Sequence, residues 1–382
     1  MHTLITADQT WALWAALLFV AALGLWLEKT RWGARVSAPV ITLAAGFALA
    51  NAGVIPASGP TYDTIWNYLA PMAIPLLLFQ VDLKRTPKAL LFTAIAFAIS
   101  VVGILFGAVI AEFIVPASGK GWQFAGSFVA GFIGDTDSYS NTARALHLGP
   151  SRLRAAGLAT ERVVMMLYLI ILFALPSIYW LRERFVEPAW EGKHWHATAA
   201  VVHEAAERGV RIYVPALAAA LAISGALCAA GFALERKVGV SGSAILFISL
   251  ASALLSLVLR KQIDKLNGAR ELGQLIVHLL FATIGAAALL PVILKTSPML
   301  LVFAATIVAT HLGVLLLIGK LARISLPALL IASNAAIGGP YTAAAMAGAR
   351  RWDHFLLPAI IFAAAGGMLA KFIGTTLAQA LH

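Results

Sequence analysis

Two aspartates, Asp135 and Asp137, stand with Thr136, Ser138 and Asn141 in the stretch GFIGDTDSYSNTARALHLG, inside a chain that is otherwise mostly apolar. Oxygen-bearing side chains this close together suit the coordination of a hard cation such as Na⁺, or the sharing of a proton between two carboxyls. An ionised aspartate at the centre of a bilayer costs roughly 2.5–3.5 kcal/mol, so two of them demand a bound cation, a proton or a cationic partner. The plainer alternative is a re-entrant or interfacial turn whose carboxylates are solvated or cap a helix starting near Ser140.

A second polar island, SNAAIGGPYTAAAMAGA, occupies 333–349. Pro340 removes a backbone donor and leaves the Ala336 carbonyl without its usual helical bond. Interrupting a helix in lipid strands polar backbone groups at several kcal/mol each, so such breaks survive where they line a buried cavity. The expected site therefore joins Asp135, Thr136, Asp137, Ser138 and Asn141 to Asn334, Gly338, Gly339 and Thr342. For Asn334 the alternative is a hydrogen bond between helices packed through small residues. His278 and His311 could relay protons or simply bond a neighbouring carbonyl. Glu161 with Arg144 reads as a structural pair at helix ends.

The elements that hold these islands must be membrane helices. The chain of 382 residues is 61% hydrophobic and 12% charged, with mean hydropathy +0.88. A soluble domain cannot hide that much apolar surface. Apolar runs of sufficient length give about twelve candidate spans, near 11–27, 36–55, 65–83, 88–115, 122–148, 158–182, 211–234, 240–259, 271–293, 297–319, 325–349 and 355–378. Strict alternation is absent, which excludes a membrane barrel. The expected fold is an all-α polytopic membrane protein. Asp8 precedes the first span and Lys29, Arg31 and Arg35 follow it, an order that favours a retained helix with its amino end outside.

The net charge of +11 is spread through short loops. It lacks the basic tract with interleaved aromatics that nucleic acid requires. A lone cysteine, Cys228, excludes disulfides within the chain and cysteine metal sites. No nucleophile–base set, phosphate-cradling loop or metalloprotease helix appears, so an enzyme is not expected. No cofactor is expected beyond a possible Na⁺ at Asp135 and Asp137.

The sequence also repeats itself. VDLKRTPKALLF at 81–92 matches VILKTSPMLLVF at 292–303, and an interrupted span follows each. This predicts two structural repeats, about 11–182 and 211–381, in a single integral membrane domain. A charged linker at 183–210 joins them, with an amphipathic helix near 196–208 and solvated histidines His194, His196 and His203. Charge counting places the loops at 28–35, 84–88 and 144–154 inside. Strict alternation of twelve spans then strands Arg260, Lys261, Lys265 and Arg270 outside. Inverted repeats need an odd offset, so the expectation is 11–13 transmembrane helices with one crossing gained or lost near the linker.

The segments IPLLLFQVDLK (74–84), GSFVAGFIGDTDSYSNTARALHLG (126–149), FATIGAAALLP (281–291) and SNAAIGGPYTAAAMAGARRW (333–352) resemble the bacterial integral membrane proteins of domain of unknown function 819. The resemblance covers nearly the whole chain and implies kinship with the bile-acid:sodium symporter superfamily. It further implies a panel domain and a core domain with two broken helices, 131–142 and 334–342, crossing at the midplane. Where a Gly-Gly-Ser-x-Asn run is usual in that superfamily, Gly134-Asp135-Thr136-Asp137-Ser138 stands instead. The resulting expectation is a multi-pass inner-membrane transporter coupled to Na⁺ or H⁺. It would move a small solute, with membrane lipids and possibly a second copy as partners. A cation/proton antiporter without organic substrate and a membrane scaffold or receptor are the alternatives.

Overall fold

The computed structural model describes residues 3–30, 33–79, 81, 86–115, 119–149, 151–186, 188, 191, 213–296 and 298–382. The linker helix expected near 196–208 and its histidines lie outside the described residues. The all-α expectation holds, and among the described residues there is no strand. In chain order the first half contains α1 (Thr10–Leu27), α2 (Ala38–Asn51), α3 (Ala70–Leu78), α4 (Thr86–Ile114), α5 (Gly121–Ile133), α6 (Thr136–Ala145) and α7 (Ser151–Ala174). The second half contains α8 (Val214–Val238), α9 (Ser243–Val258), α10 (Ala269–Ala287), α11 (Leu290–Thr296), α12 (Pro298–Leu321), α13 (Leu326–Ile337), α14 (Gly339–Ala349) and α15 (Leu356–Leu381). A π-helical turn, Ile65–Leu69, leads into α3. Pro71 just beyond it lacks the N–H group that would make an α-helical bond to Asn67 within the turn.

Among the described residues, six helical stretches are long and apolar enough to cross a membrane: Thr10–Leu27, Thr86–Ile114, Ser151–Ser177, Val214–Val238, Pro298–Leu321 and Asp353–Leu381. Ala38–Asn51, Ser243–Val258 and Leu326–Ile337 are apolar but shorter. The helices pack closely where glycines let backbones meet, as expected without a hydrophobic drive between helices in lipid. On α2 and α10, Gly46 lies on the Ala282 carbonyl and Gly285 on the Leu43 carbonyl. Gly107 on α4 meets Ile307 on α12. Gly126 on α5 and Gly374 on α15 each face the other's carbonyl.

Contacts between helix ends sort the turns into two groups, one at each end of the bundle. At one end, the Glu28 carboxylate accepts a hydrogen bond from Ala38 N–H (3.1 Å). Arg350 donates to the Phe173 carbonyl (2.5 Å). Arg270 binds Asp353 through two nitrogens (2.7 and 3.0 Å) and the Gly348 carbonyl (3.2 Å). At the other end, Leu4 and Ile5 N–H groups bond to Gly53 and Val54. Asn51 bridges Ala288 and Leu290, and the rings of Trp122 and His382 meet edge to face at 4.4 Å.

The two interrupted spans do not run from end to end. The Gln123 amide at the start of α5 donates to the Leu146 carbonyl just past α6 (2.8 Å), and the Lys120 ammonium lies against Gly149. Likewise Asn334 on α13 reaches Met346 on α14, with Nδ2 3.7 Å from the sulfur. A continuous helix would hold those two residues about 18 Å apart at 1.5 Å per residue. Each span is a helical hairpin that returns to the end it left.

Three expectations are corrected by this geometry: the crossing of the two broken helices, the placement of the loop at 144–154 inside, and the count of 11–13 transmembrane helices, against which the described residues show ten traverses and two hairpins. Broken helices crossing each other do not form, because each break reverses the chain instead of bending it. The loop at 144–154 sits at the end opposite Glu28. Each half therefore traverses the bundle five times, and Arg260, Lys261, Lys265 and Arg270 fall at the same end as Lys29. Among the described residues, one crossing is lost in each half because its interrupted span is a hairpin.

Candidate functional site

Hairpin one dips from the end marked by Trp122, and hairpin two from the end marked by Arg350. Their first arms, α5 and α13, pack on each other and both pack on α4. At 13 and 12 residues these arms reach about 20 and 18 Å inward, past the middle of a hydrocarbon layer about 30 Å thick. The tips therefore overlap in depth.

At the first tip α5 stops at Gly134, and Asp135 adopts an extended backbone, with its carboxylate accepting from Ser138 N–H (2.7 Å). It is the N-cap of α6, which begins at Thr136 and not near Ser140. Asp137 sits in the first turn. Both carboxylates therefore meet the positive end of a helix dipole, a local reason for two acids here. Asp135, Asp137 and Asn141 are exposed, and Thr136 and Ser138 half-buried. Gly134 is crowded by the Ser138 side chain and by Ala370 of α15, which leaves no room for a Cβ.

At the second tip the predicted residues bond to one another. Thr342 Oγ1 donates to Asn334 Oδ1 (2.6 Å), and Asn334 Nδ2 donates to the Thr342 carbonyl (3.2 Å). Both side chains are buried. Gly339 has φ +81°, which favours glycine. A Cβ on Gly338 would strike Thr342, Asn334 and Leu169. Asn334 and Thr342 thus latch the hairpin, so the hydrogen-bond alternative describes Asn334 well, although the bond joins two arms of one hairpin.

Near the tips stand residues that the sequence did not assign to the site. Tyr341, at the start of α14, lies within electrostatic range of Asp135. Its ring meets Trp66 of the π turn edge to face at 6.1 Å. The π turn was legible only as two prolines near a tryptophan. Glu161, expected at a helix end, lies within α7 and is 1% exposed. Its membership of the buried face Gly157, Glu161, Val164 and Tyr168 was the available signal. It does not pair with Arg144, whose side chain is exposed at the far end of α6.

The histidines are held structurally. His311 Nδ1 is 3.0 Å from the Ser100 carbonyl, which can only accept, so this nitrogen carries the proton. Nε2 then accepts from Ser333 Oγ (2.9 Å), which in turn accepts from the Tyr168 hydroxyl (2.5 Å). This chain ties α4, α7, α12 and α13 together. His278 Nδ1 bonds the Gln274 carbonyl one turn back (2.7 Å). Among the described residues no group of three or more His, Cys, Asp and Glu could hold a metal ion.

Outside the spanning helices, Glu28 and Arg350 interact electrostatically. Burial lowers the Arg350 guanidinium to about 10 against the opposing pull of Glu28. Burial raises the Glu28 carboxyl above its ordinary 4.5, offset by the Ala38 N–H and Arg350. Because the folded value is the higher one, the contribution is complete below 4.5 and is lost as pH rises from there through the raised folded value. The Glu28→Gln variant can keep the Ala38 bond and should show a flatter fall of thermal stability as pH rises over that window. Unfolding curves of both proteins across acid to neutral pH measure this, and identical slopes would refute it.

Comparison with known proteins places the chain. Residues 15–382 match the family described as "Protein of unknown function (DUF819)". The "Uncharacterized membrane protein YjcL" of Bacillus subtilis (strain 168) is 30% identical over 392 residues, covering 98% of both chains. With its apolar helices and near-complete coverage, the chain belongs to the DUF819 family of membrane proteins.

Proposed function

We propose that the protein is a cation-coupled secondary transporter that moves a small solute by alternating access. The observation that carries this reading is the pair of hairpins entering from opposite ends with overlapping tips. A break in a spanning helix is tolerated where it faces a polar cavity, and two such breaks at one depth define a site there. Asp135, Thr136, Asp137, Ser138 and Asn141 offer oxygens to Na⁺ or a proton, while Tyr341 and Trp66 offer an aromatic wall to a solute.

The packing supports a division into two bodies. α1, α2, α3, α8, α9 and α10 pack mainly with one another, as do α4 to α7 with α12 to α15. These groups are the proposed panel and core. Five traverses per half make the two repeats inverted. The positive-inside rule then puts the end with Lys29, Lys265 and Arg350 in the cytoplasm, with the inner membrane as the site of residence.

Cysteine labelling tests the cycle without a known substrate. With Cys228 replaced by alanine, single cysteines at Lys265 and Arg152 should react with an impermeant maleimide from opposite faces of a vesicle. A cysteine at the exposed Asp137 should be reachable from both faces, in proportions that change with Na⁺ or pH. Labelling of that position from one face only, indifferent to both, would favour a scaffold or receptor. Proton movement driven by a Na⁺ gradient in the absence of solute would favour the antiporter.

A further inference from the structure

Glu161 is the acid that the local structure does not explain. Asp135 and Asp137 lie in the cap and first turn of their own helix, whereas Glu161 lies about 15 Å into α7, away from both ends of its own helix. It is 1% exposed, and its Oε2 has no hydrogen-bond partner. Hairpin one is shaped to cover it: Gly131 on α5 leaves room for its Cγ, 3.2 Å from where a Cβ would stand, and for Tyr139 of α6 at 3.1 Å. The Tyr139 hydroxyl, also buried and unpartnered, lies over Gly157 one turn earlier on the same face of α7.

The charged and titratable groups around Glu161 are few. Arg162 is next on α7, and Asp135 stands on the hairpin tip within electrostatic range. Tyr139 faces it from α6 and carries the influence of Arg154. Of the other helices packed on α7, α5, α2 and α13 carry no titratable side chain, α11 carries Lys295, and α10 carries Glu271, Arg270 bound to Asp353 and His278 bonded to the Gln274 carbonyl. His311 of α12 is engaged two turns away beside Tyr168. A single flanking arginine does not satisfy an oxygen that lacks a hydrogen bond away from water.

We propose that Glu161 is a proton-binding residue of the transport cycle, holding a proton on its carboxyl while hairpin one covers it and releasing it when the hairpin tip lifts. The step balances simply. The Glu161 O–H bond breaks, the carboxylate keeps the electron pair, and the proton passes to water entering beside the exposed Asp135. This names the proton as coupling ion and rests on the transport reading above.

Infrared spectroscopy of the full-length protein in liposomes tests it without any substrate. At neutral pH the wild type should show a protonated-carboxyl C=O band that titrates away as pH rises. The band should be lost in Glu161→Gln and retained in Asp135→Asn and Asp137→Asn. Glu161→Asp provides a milder change, and its band should shift in frequency. A band unchanged in both Glu161 variants, or no band in the wild type, overturns the proposal. Neither result touches the transport reading, which stands or falls on two-sided labelling at position 137.

Discussion

Replacing Gly374 by alanine is expected to lower the stability of the protein by about 1–3 kcal/mol, the usual cost of overpacking. The new methyl would meet the Gly126 carbonyl, with Ala130 Cβ 2.8 Å away. A carbonyl cannot rotate aside as a side chain can, so α5 and α15 must separate. The same substitution at Gly367 enters open space and should be neutral or slightly stabilising, because alanine is the better helix former. Thermal unfolding of the two variants in one detergent compares like with like. Equal midpoints would show that hairpin one is not held by this glycine contact. Since α5 carries Gly131 and leads to Asp135, separation should also raise labelling at position 137.

A comparable loss is expected from breaking the latch of hairpin two. Asn334→Leu leaves the Thr342 carbonyl without its side-chain donor and takes the hydroxyl's acceptor away. Each buried polar group left unsatisfied costs about 1–3 kcal/mol, offset here by the second bond Thr342 can make to Gly339 (3.3 Å). Thr342→Val should cost less, since it removes one of the two bonds. In a double-mutant cycle the pair should show a coupling of about 1–2 kcal/mol. Strictly additive shifts would mean that the two side chains do not hold the arms together. In the transport reading proposed above, the latch matters because it holds Tyr341 against Trp66.

Much of this molecule was legible from composition and pattern. Bulk hydrophobicity identified lipid as the solvent. Glycine, proline and polar residues inside apolar runs marked both breaks correctly. Capping chemistry explains why Asp135 starts a helix, and the four misplaced cations, Arg260 to Arg270, announced a fault in simple alternation. Hidden from the sequence was the direction of the chain after each break. A kinked crossing helix and a hairpin share the same local signals, and they differ only in whether Gln123 finds Leu146 and Asn334 finds Thr342.

The roles of individual acids followed the same division. Asp135 and Asp137 stand out in one dimension because polar neighbours surround them, yet in three dimensions they sit at a helix terminus that accommodates them. Glu161 looks ordinary beside Arg162, and only the fold of hairpin one over α7 buries it. By itself the sequence determined that the chain is helical, lives in a membrane and breaks two of its helices, because hydropathy, glycine and proline act locally. The tertiary structure alone decided which ends meet, which acid loses water and how the halves are oriented, because those depend on contacts between residues far apart in the chain.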